Sequence, residues 1–257
     1  MDISPTAQRR RAIVACTREE GEVQVADLAN RLDVAPETIR RDLTALEHSG
    51  LVRRTHGAAH PLDGAGFEST LAYRSTHLVA EKRRIAAAGA ERVGDAESLY
   101  IDDGFTPQLV AEHLVAMARP FTVVTPSLPI AGALAAVEGI TVIMLGGRVR
   151  GRTSSTVDHW VIDMLSELVL DLAILGTNGI SVERGLTTPE PAVSAIKKKA
   201  MAVSRRRMLV GVSTKFGVDS FCRFADVRDF EVVVTDRGLR TSIAQRYAAL
   251  GPEIVRA

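Results

Sequence analysis

Two pairs of arginines, Arg40-Arg41 and Arg53-Arg54, flank Gly50 and stand among hydroxyl- and imidazole-bearing neighbours, Thr38, Thr44 and His56. A guanidinium presents a rigid fork of donors that suits phosphate oxygens and the O6/N7 edge of guanine. Thr38 and Arg40 could touch bases or phosphate, Arg41 is the best base reader, and Thr44 suits the backbone or a thymine methyl. Arg53, Arg54 and His56 would meet phosphates or the minor groove. The chemistry is therefore a grip on duplex nucleic acid. It must come from placement, because residues 1–60 balance nine arginines against nine acids and the whole chain carries a formal net charge of only +1.

The elements that must hold these groups are legible. Ala35 to Gly50 reads as one short helix, with Pro36 suited to its first turn and Gly50 to the residue past its end. Ile39, Leu43 and Leu46 form an apolar stripe, leaving Glu37, Arg41, Thr44 and His48 on the opposite face and Thr38 and Arg40 on its flanks. Asp42 is a poor neighbour for phosphate and is expected to fix an arginine or the domain interior. A helix opening at Ser4-Pro5 and a second over 25–32 supply cover, and the brief turn at 33–35 makes a helix-turn-helix. Residues 51–59 read as two extended runs around Gly57, a β wing.

Past a Pro/Gly-rich stretch at 61–66, a long helix is expected over 77–93. Its Glu81-Lys82-Arg83-Arg84 run is expected to be a solvated face. From Ser98 onward the pattern alternates between apolar strands (99–102, 121–125, 140–145, 171–176, 208–212 and 231–235) and helices (106–118, 127–136, 157–168 and 192–204). This is an α/β pattern, a parallel sheet covered on both sides. Ligands bind such sheets outside the carboxyl ends of the strands. There stand Asp102, Gly104 and Thr106; Thr125 and Ser127; Gly146 and Gly147; Gly176, Thr177 and Asn178; and Lys215. Glycine backbone N–H groups, hydroxyls and a lysine could together hold a phosphorylated, hydroxyl-rich small molecule.

The run Thr38-Ile39-Arg40-Arg41-Asp42-Leu43, with Arg53-Arg54-Thr55-His56-Gly57-Ala58, resembles the winged helix-turn-helix of the DeoR (GlpR-type) family of bacterial transcriptional regulators. The resemblance runs more loosely almost to the C-terminus. It implies a repressor whose C-terminal domain is similar in fold to sugar-phosphate isomerases and deaminases and senses phosphorylated sugars or related metabolites. It also implies a basic position at Lys197 or Lys198. Three positions depart from the family's usual motifs: Phe105 in place of a hydroxyl residue, Pro126 in place of an amide, and Val212 in place of an acid.

The expected organisation is a DNA-binding domain over 1–60, a linker over 61–76 and an effector-sensing α/β domain over 77–257. The expected partners are double-stranded operator DNA, a phosphorylated sugar or related metabolite, and further copies of the chain as a dimer or tetramer. No cofactor, metal or membrane is expected. Cys16 and Cys222 read as reduced thiols, and the chain as cytoplasmic. The rival reading is a sugar-phosphate isomerase- or deaminase-like enzyme with an appended DNA-binding domain. It needs a general base, for which Asp102, Asp103 and Asp236 are the acids at or near strand ends, and no complete acid/base set is evident.

Overall fold

A computed structural model describes residues 4–20, 22–49, 51–55, 57–61, 68–117 and 119–257. The chain divides into two compact units, Met1–Thr70 and Leu71–Ala257. In the first, α1 (Pro5–Glu20), β1 (Val23–Gln24), α2 (Val25–Arg31) and α3 (Pro36–His48) precede the hairpin β2 (Val52–Thr55) and β3 (Ala58–Pro61). Pro36 opens α3 after the extended Ala35. In the α2–α3 turn Asp33 adopts a left-handed φ of 49°, which short polar side chains tolerate. Ile13, Leu28, Ile39, Leu43, Leu46 and Val52 close the core. The two-residue β1, not anticipated from the sequence, pairs with β3 and joins the hairpin to the helices.

The second unit runs α4 (Leu71–Arg74), α5 (Val79–Ala90), β4 (Ser98–Ile101), α6 (Phe105–Val115), β5 (Phe121–Thr125), α7 (Leu128–Leu134), β6 (Ile140–Met144), β7 (Arg148–Arg150), β8 (Ser155–Val157), α8 (His159–Ser166), β9 (Leu170–Leu175), β10 (Gly179–Ser181), β11 (Gly185–Thr188), α9 (Pro191–Ala202), β12 (Ser204–Val210), β13 (Cys222–Ala225), β14 (Val232–Thr235), α10 (Thr241–Ala248) and β15 (Glu253–Arg256). Seven strands form one parallel sheet in the order β15-β14-β12-β9-β4-β5-β6. Six are the strands expected from the apolar runs; β15 is the seventh.

Pleat alternation divides the core between the two faces of this sheet. Leu99, Ile101, Val123, Ile174 and Val210 pack with α5 and α6, whereas Tyr100, Val124, Ala173 and Leu209 pack with α8 and α9. Asp102, two residues beyond Tyr100, therefore lies on the α9 side. The hairpin β7–β8 and the small sheet β10-β11-β13 are antiparallel excursions from the carboxyl end of the main sheet. Among the described residues no helix is long and apolar enough to cross a membrane.

Candidate functional site

Two groups of side chains, one in each unit, stand where the sequence places its candidate sites. On α3, Ile39, Asp42, Leu43 and Leu46 are buried, whereas Glu37, Arg40, Arg41, Thr44 and His48 are exposed and Thr38 is half-buried. Arg40 pairs with Glu37 one turn earlier. The Thr44 hydroxyl donates to the Arg40 carbonyl at 2.8 Å and accepts from Arg54 Nη1 at 2.6 Å. The Arg54 N–H donates to Glu47 Oε1 at 2.9 Å. Arg54 thus lies along α3, joining the wing to the polar face of that helix. His56 and the side chain of Arg53 lie outside the described residues.

Asp42 turns inward. It is 3% exposed and accepts from Arg9 Nε at 2.5 Å and Arg10 Nε at 2.8 Å, tying α3 to α1. Arg9 and Arg10 are thereby drawn from the solvent side to a structural partner.

In the second unit the pocket assembles around the loop between β4 and α6. Lys197, 3% exposed on α9, pairs with Asp102, which is 1% exposed. The same ammonium donates to the Gly176 carbonyl at 3.1 Å, while the Gly176 N–H donates to Asp102 Oδ2 at 2.8 Å. Burial pushes the Asp102 carboxyl up to about 6, against the pull of the Lys197 charge. Asp103 accepts from the Ser155 hydroxyl at 2.8 Å, and Ser155 is bonded to Thr153 at 2.7 Å. Burial opposes ionisation of Asp103, but the Lys197 charge and the Ser155 bond hold it below the usual carboxylate range. Asp102, Asp103, Tyr100, Pro126, Ser155 and Thr156 share one small cavity.

On the other side of the loop stand three more cations. Lys82 on α5 is buried and donates to the carbonyls of Arg74 and His77, both at 2.6 Å. Its ammonium lies 5.6 Å from the Phe105 ring centroid. Lys215 donates to the Thr177 carbonyl. Arg74 Nη1 stands 4.0 Å from where a Cβ on Gly104 would be. Burial lowers Lys82 to about 8, with help from Arg74. Burial lowers Lys215 to about 7, reinforced by Arg74, Lys82 and Lys197. Ammonium groups withdrawn from water, Lys82 fully and Lys215 in part, are costly without a carboxylate partner. Here they gather where a strand-end ligand would sit.

The hydroxyls expected to face a ligand are committed to backbone. Thr125 Oγ1 donates to the Ile101 carbonyl at 2.7 Å. Ser127 caps α7, accepting from the Ile130 N–H at 3.4 Å. Thr177 Oγ1 donates to the Gly179 carbonyl at 2.7 Å, and Asn178 accepts from Thr188 Oγ1 at 3.3 Å. Thr106 is buried in the first turn of α6. The exposed Gly146 and Gly147 lie at the start of the β7–β8 hairpin. A Cβ on Gly147, at φ 147°, would meet the Val157 carbonyl oxygen at 2.4 Å, so its missing side chain has a packing reason. Of the two lysines offered by the sequence, Lys197 is buried and Lys198 exposed. Val212, where an acid was usual, is core.

Lys82, Arg74 and Ser155 were not singled out from the sequence as pocket residues, and Asp103 was offered only as a candidate base of the rival enzyme reading. Arg83 and Arg84 are exposed, as expected of a solvated run, but Lys82 is buried. It is in phase with the buried stripe Ile85, Ala86 and Gly89, a helical periodicity that marks it as inward-facing.

A family profile described as the DeoR-like helix-turn-helix domain matches residues 9–63. Another, the DeoR C terminal sensor domain, matches residues 78–237. The chain is 31% identical over 238 residues to the glycerol-3-phosphate regulon repressor of Escherichia coli (strain K12), covering 93% of this chain and 94% of the relative. The chain belongs to the DeoR family. The HTH-type transcriptional regulator GlpR of Haloferax volcanii is likewise 31% identical, over 249 residues and 97% of each chain. As a DeoR-family member this protein is a DNA-binding transcriptional regulator with an N-terminal reading head and a C-terminal sensor domain. About half of the chain also aligns with ribose 5 phosphate isomerase A from Neisseria gonorrhoeae, at a TM-score of 0.40, 18% identity and 53% of each chain. That likeness is too slight to bear on chemistry.

Proposed function

We propose that the protein represses a carbohydrate or related metabolic operon, gripping its operator through α3 and the wing and releasing it when a phosphorylated small molecule enters the strand-end pocket. The observation that carries the sensing half is the gathering of Lys82 and Lys215, whose described partners are carbonyls alone, beside Arg74 and the Lys197–Asp102 pair. A phosphate dianion would supply the missing counter-charge, with the N–H groups at the start of α6 as further donors. For the reading half, Arg41 takes a base edge. Thr38, Arg40, Thr44 and Arg54, with Arg53 and His56, take phosphate or neighbouring bases.

Two half-sites about one DNA turn apart call for at least two reading heads, so the working form is a dimer or tetramer in the cytoplasm. Coupling needs only that the ligand bind one arrangement better, and about 1–3 kcal/mol suffices. Turnover is not part of this reading. Asp102 is held by Lys197, Asp103 by Ser155, and Asp236 by the Ser213 N–H at 2.6 Å and its hydroxyl at 2.8 Å. Asp102 and Asp236 are each held by at least two donors, and Asp103 sits below the usual carboxylate range, so none is a ready base for a substrate proton.

Thermal-shift screening of phosphorylated metabolites, followed by a gel shift of operator DNA with each hit, tests the proposal. A hit should raise the melting temperature and release DNA. A hit that tightens the complex overturns the inducer role, and product formation from any hit overturns the sensor role.

A further inference from the structure

The β4–α6 loop separates charge of opposite sign, and this reaches beyond phosphate sensing while resting on that reading. On its α4–α5 side Arg74 approaches Gly104 and Lys82 binds the Arg74 carbonyl. On its β8 side Asp102 and Asp103 line a cavity with Tyr100, Ser155 and Thr156. Lys197 answers Asp102 directly. Asp103 has no cation within ion-pair distance among the described residues; its direct partner is the Ser155 hydroxyl, itself steadied by Thr153.

An ionised carboxylate is acceptor-only, with room for several donors on its two oxygens. A phosphate placed against it would be repelled, whereas a hydroxyl would be bound by a charge-assisted hydrogen bond. We propose that Asp103 is a specificity-determining residue of this site: it accepts a hydroxyl of the ligand's carbon skeleton while the cations across Gly104 hold the phosphate. The site would then select phosphorylated polyols or sugars over inorganic phosphate, and would do so by charge placement rather than by size. Ser155 acts as a positioning residue, fixing the carboxylate through one oxygen.

The test is calorimetric titration of the full-length protein with inorganic phosphate and with three-, five- and six-carbon sugar phosphates. The wild type should bind its preferred sugar phosphate at least about tenfold more tightly than inorganic phosphate, the value of one good charged hydrogen bond. Asp103→Asn should remove most of that ratio while inorganic phosphate binds as well or better, because a like charge has gone. Lys82→Met should weaken both ligand types together and leave the ratio intact. Asp103→Ser repeats the test should the Asn variant fail to fold. An unchanged ratio in the Asp103 variants, or parallel loss of both ligand types, overturns the assignment. A wild type that binds none of these compounds overturns the anion-site reading beneath it, which separates the two failures.

Discussion

Replacing Lys197 by Met removes an ammonium from a pair in which both side chains are nearly sealed from water, 4% and 2% exposed. Methionine matches the length of the stem, so the change is one of charge rather than volume. Asp102 would keep the Gly176 N–H at 2.8 Å and the Tyr100 hydroxyl at 3.5 Å. Removing one partner of a buried pair typically costs about 3–5 kcal/mol. With those two donors left, the lower end applies, about 3 kcal/mol. For a unit of this size that is about 6–12 °C in Tm.

The loss must depend on pH in a defined direction. Burial has already raised Asp102 to about 6, with Lys197 opposing the rise. Without Lys197 the folded carboxyl binds its proton more tightly still, so between about 6 and the new, higher pKa the folded variant holds more protons than the folded wild type. Its stability therefore falls more steeply as pH rises, and the deficit is larger at pH 8 than at pH 5. The protein has one tryptophan, Trp160 on α8 in the second unit, so urea titrations followed by its fluorescence report that unit. Lys197→Met with Asp102→Asn should recover much of the loss. A deficit below about 1 kcal/mol, or one equal at pH 5 and pH 8, would refute the reasoning.

Arg41→Ala should weaken operator binding by about 1–3 kcal/mol and relax preference at one base pair, read by gel shift against single-base operator variants. Arg54→Ala should weaken all duplexes alike and flatten the salt dependence by about one unit of slope in a titration with monovalent salt; a change confined to one operator position would contradict its placement. Asp42→Ala leaves Arg9 and Arg10 facing an empty site. Because both guanidinium groups retain some water, the cost should be about 2 kcal/mol of stability in the first unit, measured by denaturation of that unit. Gly147→Ala pushes a Cβ against the Val157 carbonyl oxygen and should cost about 2–4 kcal/mol without altering the charge of the pocket; a wild-type melting curve would count against the closeness of that contact.

Where burial has a period, the sequence was readable. The stripe Ile39, Leu43 and Leu46 gives α3 and its exposed face, and six apolar runs give six strands of the parallel sheet. The carboxyl ends of those strands then give the place of the candidate pocket by topology alone. The strand β15 escaped notice because Glu253-Ile254-Val255-Arg256 is short, lies at the sheet edge and is only half-buried. The strands β10 and β11 read Gly-Ile-Ser and Gly-Leu-Thr-Thr, compositions that serve turns as readily as strands. Residue type could not say whether Thr125, Ser127 and Thr177 donate to a ligand or to carbonyls, since a hydroxyl does both. Lys82 was hidden by its neighbours: three charged residues around it suggested water, and its phase with Ile85 was the better guide.

The way arginines are already occupied on the first unit bears on how tightly one head can hold. Arg9 and Arg10 face Asp42, and Arg40 faces Glu37. Arg9 and Arg10 are thus spent inside the head, and Arg40 would have to exchange a carboxylate for a phosphate on docking, so little counterion release is left to them. In the proposed dimer or tetramer a single head should consequently be a weak, quickly dissociating binder, with durable occupancy arising from avidity as linked heads rebind before either diffuses away. Any signal that merely changes the spacing between heads would then empty the operator without touching a single base contact.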